Sequence, residues 1–185
     1  MFDPEKTKVV QLTQSYRSTK QITDFTKGVL VNGEKVMAFN RNGDLPTITV
    51  DTENAKMIDD VIKQLRQNKE DKMTTAIIGK SLVECAALTD ELKARGKQVS
   101  LIKTENQRLV GGTLVIPAYL AKGLEFDAII MWNANKKNYH EEDERQLVYT
   151  ICSRAMHRLD IFAEKTLSPL FDNVPQDTYR LNNRG

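Results

Sequence analysis

Cysteine is scarce in this 185-residue chain: there are two, Cys85 and Cys152, with no CxxC spacing and no cluster of histidines beside them. That excludes a disulfide scaffold and a structural zinc site, and leaves buried free thiols of a reducing cytosol as the expectation. Long apolar runs are missing as well. Nothing approaches the roughly 18 residues a membrane span needs, and Met1-Phe2-Asp3-Pro4-Glu5-Lys6 lacks the apolar centre of a signal peptide. A cytoplasmic protein with no membrane partner is expected. Charge of one sign is also lacking: 27 Lys+Arg against 25 Asp+Glu leaves +2, far from the basic excess of a protein that lives by phosphate contacts. What remains, 40% hydrophobic and 28% charged residues, is the balance of a soluble globular chain with no low-complexity segment, about one domain in length.

Within that length the hydrophobic period alternates between two and 3.6, the mark of strands alternating with helices. Lys8 to Leu12 reads as a strand. Ser18 opens a helix to about Leu30, with Gln21 completing a capping box. After the turn signals Asn32-Gly33 and Asn42-Gly43, which bracket a short edge strand at Val36 to Phe39, come a strand at Thr47 to Val50 and a helix from Glu53 to Asn68. Thr75 to Ile78 is a strand, Ser81 to Arg95 a helix capped by Ser81 and Glu84, and Gly96 its left-handed end. Strands follow at Gln98 to Ile102, Thr113 to Ile116 and Ala128 to Trp132. A helix from Glu141 to Met156 starts with four acids, where the dipole favours them, and Leu159 to Ala163 is the last strand. The economical architecture is a parallel sheet covered on both faces. From Glu164 on the chain is polar and broken by Pro169 and Pro175, so residues 1–165 are read as the folded domain and 166–185 as an irregular tail.

In open α/β sheets ligands collect at the carboxyl ends of strands, and three segments are expected there. Gln14-Ser15-Tyr16-Arg17-Ser18 brings a stacking ring and an arginine to a helix start. Lys122-Gly123-Leu124-Glu125 is a glycine turn with a carboxylate suited to sugar hydroxyls. Ser153-Arg154-Ala155 sets an arginine among small residues. Together they suggest a phosphate-rich ligand such as a nucleotide. Taken singly each has a plainer reading: Tyr16 as packing, Arg17 as a helix-end charge, Gly123 as a turn, Arg154 paired with Glu141 or Asp143. Glu141, Glu142, Asp143 and Glu144 have no partner cluster for a metal and read as a solvated first turn; His140 and His157 have no catalytic neighbours, and Trp132 reads as core. Gly79-Lys80-Ser81 imitates the end of a phosphate-binding P-loop, but five positions earlier stands Thr74, and the strand runs straight into Gly79. Asn133 stands where a magnesium-holding aspartate would follow a strand. No GxGxxG is present.

These segments jointly resemble the C-terminal RecA-like domain of superfamily-1 helicases of the UvrD/Rep type. Gln14-Ser15-Tyr16-Arg17-Ser18-Thr19 resembles motif IV of that family, with Ser15 for the usual asparagine. Ala121-Lys122-Gly123-Leu124-Glu125-Phe126-Asp127 resembles motif V, and Leu147 to Ala155 resembles motif VI, with Ser153 for threonine. The resemblance implies a three-layer α/β/α, P-loop-NTPase-type fold with a mostly parallel sheet, and a motor domain of an ATP-dependent DNA helicase or translocase. It implies roles too. Tyr16 would stack on adenine, Arg17 would reach the γ-phosphate, and Glu125, presented by the Gly123 turn, would bind the ribose or fix the nucleotide-facing loop. Arg154 would be an arginine finger. Arg154 and Arg17 are therefore the expected catalytic residues, and Tyr16, Arg17, Gly123, Glu125 and Arg154 the nucleotide-binding set. ATP with Mg2+ is the implied cofactor, the magnesium ligands lying on an N-terminal RecA-like domain that is the implied partner; no metal ligand is expected in this chain, which would not hydrolyse ATP alone.

Two departures from the family pattern stand out. Pro117-Ala118-Tyr119 replaces the Thr-x-His that contacts single-stranded DNA, leaving Tyr119, with Lys122, as the candidate nucleic-acid contact. The link from Lys103 to Gly112 is too short for the accessory domain that UvrD-type enzymes insert there. The form Tyr119-Leu120-Ala121-Lys122-Gly123-Leu124-Glu125-Phe126-Asp127 and the missing insertion resemble the helicase-IV-like HelD branch, whose members use ATP to remove RNA polymerase from nucleic acid. DNA, RNA polymerase or both are thus implied partners, and an interaction module without catalysis is the alternative.

Overall fold

The computed structural model describes residues 14–15, 18–30, 37–38, 41–107 and 112–184. The expected strand at Lys8 to Leu12, and Tyr16 and Arg17, lie outside the described residues. In chain order the elements are β1 (Gln14–Ser15), α1 (Lys20–Val29), β2 (Met37–Ala38), β3 (Thr47–Asp51), α2 (Asn54–Glu70), β4 (Thr75–Gly79), α3 (Leu82–Ala94), β5 (Val99–Leu101), β6 (Thr113–Pro117), β7 (Phe126–Met131), α4 (Arg145–Cys152), β8 (Ala155–Glu164) and β9 (Arg180–Arg184). β1 and β2 form a small parallel ladder of their own. The remaining strands make one 7-stranded sheet in the order β5-β6-β4-β7-β8-β3-β9, parallel at every pairing.

Successive side chains of a strand point to opposite faces, and here the central strands are apolar on both. Ala76 and Ile78 of β4, Ile129 and Met131 of β7, and Leu159 and Ile161 of β8 join a core with Ile22, Phe25 and Val29 of α1 and Val148 and Ile151 of α4. Ile77, Val115, Ile130 and Phe162 turn the other way and meet Met57, Ile58 and Val61 of α2 and Cys85, Leu88 and Leu92 of α3. Each fully buried aliphatic contributes about 1.5–3 kcal/mol, so both helical layers are held on by their own apolar stripes. The fold is the expected three-layer α/β/α arrangement. Cys85 and Cys152 are buried and free, in cores on opposite sides of the sheet.

Several boundaries move. Thr19, not Ser18, caps α1: its Oγ1 accepts the Ile22 N–H at 3.3 Å, because the buried Ser18 hydroxyl donates instead to the Ala155 carbonyl at 2.7 Å. Ser81 caps α3 as expected, while the Glu84 carboxylate turns to Asn138. α3 closes in a Schellman motif, with Gly96 at φ +78 and the Lys97 N–H on the Leu92 carbonyl at 2.9 Å. α2 closes in the same way with Lys72, at φ 57, where glycine is usual; the Met73 N–H reaches the Asn68 carbonyl at 2.9 Å. The acidic helix is shorter than its pattern: Glu142–Glu144 is a 3-10 turn, and α4 ends at Cys152, since pairing with β7 already claims the chain from Ala155 onward.

The segment 166–185 is not the irregular tail expected of it. Pro169 stands at the start of a 3-10 turn capped by Ser168, and Pro175 caps another at Gln176–Thr178; both prolines start turns, where their missing N–H costs nothing. Leu170, Phe171 and Val174 are buried in the α1 core. The Phe25 ring lies 6.1 Å from Phe171 and 5.8 Å from Tyr179, and β9 then adds to the sheet edge beside β3.

Candidate functional site

From Pro117 the chain must cross β4 and return to start β7, and it does so in residues 118–125 alone. Parallel strands usually need a dozen or more residues for such a connection. The economy comes from a 3-10 turn at Ala118–Leu120 followed by a turn at Gly123, whose φ of +83 would strain any other residue. Ala118 and Ala121 are buried, and Leu120 and Leu124 pack on the α1 and α4 core. The crossover therefore joins the two ends of the sheet. Tyr119, 58% exposed, stands at the carboxyl end of β6; Lys122, Gly123 and Glu125 are exposed on the way to the amino end of β7.

At that amino end the other candidate segments meet it. The Phe126 N–H donates to the Arg154 carbonyl at 3.1 Å, tying the glycine turn to the end of α4. The Arg154 side chain is half-buried; its Nε donates to the Thr150 carbonyl at 3.0 Å and its Nη2 to Ser153 Oγ at 3.2 Å, so two of five N–H donors are engaged within the helix end that carries it. Burial lowers the guanidinium pKa, and the neighbouring Glu125 and Tyr149 oppose that by favouring the charged form. A bulge in β8 between Ala155 and Arg158 re-aims the strand beside it, as bulges commonly do next to functional sites. Ser18 is fixed to Ala155, and the Thr19 N–H donates to the Met156 carbonyl at 3.1 Å, which brings the start of α1 to the same edge.

This placement corrects the expected one. Gly123, Glu125 and Arg154 gather at the amino ends of β7 and β8, and of the crossover's candidates only Tyr119 lies at a carboxyl end. Glu125 and Arg154 each directly precede a strand, so they belong to chain entering the sheet rather than leaving it. Arg154 is not paired with Glu141 or Asp143. The four acids are not simply a solvated turn either: Glu142 binds Arg145 Nε at 2.6 Å, and Glu144 binds Lys80.

The true carboxyl end of β4 holds a polar cluster that the sequence reading missed. β4 runs directly into Gly79, where a Cβ would come within 2.8 Å of Cys85 Sγ; the glycine serves close packing of α3. Lys80 is bound by Glu144 and the Asn138 carbonyl and lies 5.4 Å over the Tyr139 ring, all partners internal to the domain. Asn138 Nδ2 donates to both Glu84 oxygens at 3.1 Å, and burial pushes the Glu84 carboxyl up to about 7. Trp132 is buried. Among the described residues no group of three or more His, Cys, Asp or Glu side chains is arranged to hold a metal ion, and no helix is long and apolar enough to cross a membrane.

The family model for the UvrD-like helicase C-terminal domain matches residues 113–161, the stretch from β6 to β8 that contains the crossover and Arg154. No curated protein matches the chain. Among solved structures, the C-terminal domain of a possible DNA helicase from Lactobacillus plantarum is 58% identical, with a TM-score of 0.82 over 91% of this chain and 99% of that one. Arterivirus nonstructural protein 10, a helicase solved in complex with DNA, is 8% identical with a TM-score of 0.50, over 88% of this chain and 37% of that one; it shares the fold alone.

Proposed function

The chain belongs to the UvrD-like helicase C-terminal domains, with their RecA-like fold, and on that premise we propose that it is the C-terminal motor domain of an ATP-dependent superfamily-1 DNA helicase or translocase, forming one wall of an interdomain ATP site. The observation that carries the reading is the meeting of Arg154 and Glu125 at the amino edge of β7 and β8, joined there by the start of α1. A half-buried guanidinium with donors to spare, beside a carboxylate on a glycine turn, is the donor set a nucleotide polyphosphate and ribose call for.

In this reading Arg154 neutralises charge on the transferring phosphoryl group, an effect of about 10³–10⁵ in rate for such fingers. Glu125 holds the ribose or fixes the Gly123 turn. Tyr16 and Arg17, which precede Ser18 in sequence, complete the wall by stacking on the base and reaching the γ-phosphate. The magnesium ligands and the water-positioning acid belong to the N-terminal RecA-like domain. Tyr119 and Lys122 contact nucleic acid, and the short, packed crossover that also carries Glu125 gives closure around nucleotide a direct route to that contact.

The test is Arg154→Ala in the protein that joins this chain to its N-terminal RecA-like domain. A kcat lowered by about 10³-fold or more with KM nearly unchanged is expected; loss of nucleotide affinity with kcat retained would reassign Arg154 as a binding residue. A second reading, an RNA-polymerase-releasing ATPase of the HelD kind, is favoured by the short link between β5 and β6. Stimulation of the ATPase by single-stranded DNA selects the helicase or translocase; co-purification with RNA polymerase without such stimulation selects the second.

A further inference from the structure

Farther along the same amino edge lies a cleft of about 1040 Å³ between the carboxyl ends of α2 and α3. Its floor is made by Ile62, Leu65 and Met73, and its rim by Arg66, Lys69, Lys72, Lys93 and Lys97. No aspartate or glutamate lines it, and none of the five cations forms an ion pair with another described residue. Asp71, the acid of the adjoining turn, is committed to Arg158 at 2.9 Å and to Gln67 at 3.1 Å.

Lysines at helix ends have an ordinary role in offsetting the helix dipole, but the amounts do not match here. Each helix end presents about half a negative charge. Two ends therefore offset about one of the five cations and leave roughly four in one concavity. Lys72 adds a second sign. It sits in the left-handed region at φ 57, which costs a non-glycine residue about 1–2 kcal/mol, at the position where α3 uses Gly96.

We infer that this cleft binds the phosphate backbone of duplex nucleic acid, as a contact separate from Tyr119 at the opposite end of the sheet and from Lys122 on the crossover. Duplex is assigned over single strand because no aromatic side chain lines the cleft, so there is no platform for unpaired bases. A duplex presents about one charge per 1.7 Å, the denser array of phosphates. The inference stands apart from the nucleotide reading, since binding here needs no ATP.

The experiment is fluorescence anisotropy of a labelled DNA duplex of about 20 base pairs, titrated with the 185-residue chain from roughly 50 to 200 mM salt. Five phosphate contacts predict a salt slope of about −4.5, near 500-fold in affinity across that range. The pair Lys69→Gln and Lys93→Gln, both exposed, should reduce the slope by about 2 and weaken binding at least tenfold near 100 mM salt. Lys136→Gln with Lys137→Gln removes the same charge at the opposite edge and should leave slope and affinity unchanged. Thermal melts confirm that all variants are folded. Absence of duplex binding by the unaltered chain near 50 mM salt, equal losses in the two pairs, or tighter binding of a single strand than of the duplex would each overturn the inference.

Discussion

Asp160 offers a measurement in which sign and size both follow from burial. It sits in mid-β8, with Ile130 of β7 on one side and Thr47 of β3 on the other, and is 3% exposed. The Thr47 hydroxyl donates to one carboxylate oxygen; the other has no partner among the described residues. Burial pushes the carboxyl up to about 6 from an ordinary 3.8, with the Thr47 bond and Arg158 pulling the other way. A shift of about two units corresponds to roughly 3 kcal/mol. Because the folded-state pKa is raised, the folded protein keeps this proton between about pH 4 and 6 while the unfolded chain has lost it. The group is least costly below that window, and stability falls as pH rises through it. Asp160→Asn removes the titration and keeps an acceptor for Thr47, at a pH-independent cost of about 1–3 kcal/mol for an amide N–H without an acceptor. The informative quantity is therefore the melting-temperature difference between variant and unaltered chain at about pH 4.5 and 7.5, an interval over which about 2 kcal/mol of the cost develops, so it should move in favour of the variant by about 4–8 °C. Other titrating groups are common to both proteins and cancel. A difference that stays constant across that range would show that Asp160 titrates normally and that the solvation cost has been misjudged.

Two further outcomes test the packing. Phe25→Ala removes the ring that holds α1 to Phe171 and Tyr179 and should cost about 3–5 kcal/mol in denaturant unfolding; a loss below about 1 kcal/mol would mean that residues 166–185 are not anchored there. Burial pushes the Cys85 thiol up to about 12 and Cys152 higher still, so an aromatic disulfide reagent at about pH 8 should label neither in the folded chain and both in denaturant. Rapid labelling of either under native conditions would place a solvent path to that core.

The alternation of strands and helices was legible because it rests on local periodicity, and the β4 to β7 core strands announce themselves as short apolar runs between turn signals. The glycine turn and Arg154 were legible as residue types: a left-handed glycine and an arginine among small residues carry their chemistry wherever they sit. Their location was not, because the amino or carboxyl end of a strand depends on which residues the ladder claims, and the ladder claimed Phe126 and Ala155. Ser18 shows the same limit. Its capping pattern is local, yet its hydroxyl goes to Ala155, 137 residues away.

The sequence by itself therefore determined the layers, the two buried thiols and the residue types of the candidate site, all of which follow from composition, period and short motifs. Tertiary structure decided what depends on distant chain coming together. It placed Glu125 beside Arg154, folded Leu170 and Phe171 into the α1 core, and buried Asp160 between two strands. The whole-chain charge of +2 gives no hint of a basic surface, because it averages cations and acids over all positions. Only the side-by-side docking of α2 and α3 on one face of the sheet brings Lys69 and Lys72 to Lys93 and Lys97, and concentrates in one cleft a charge that the sum conceals.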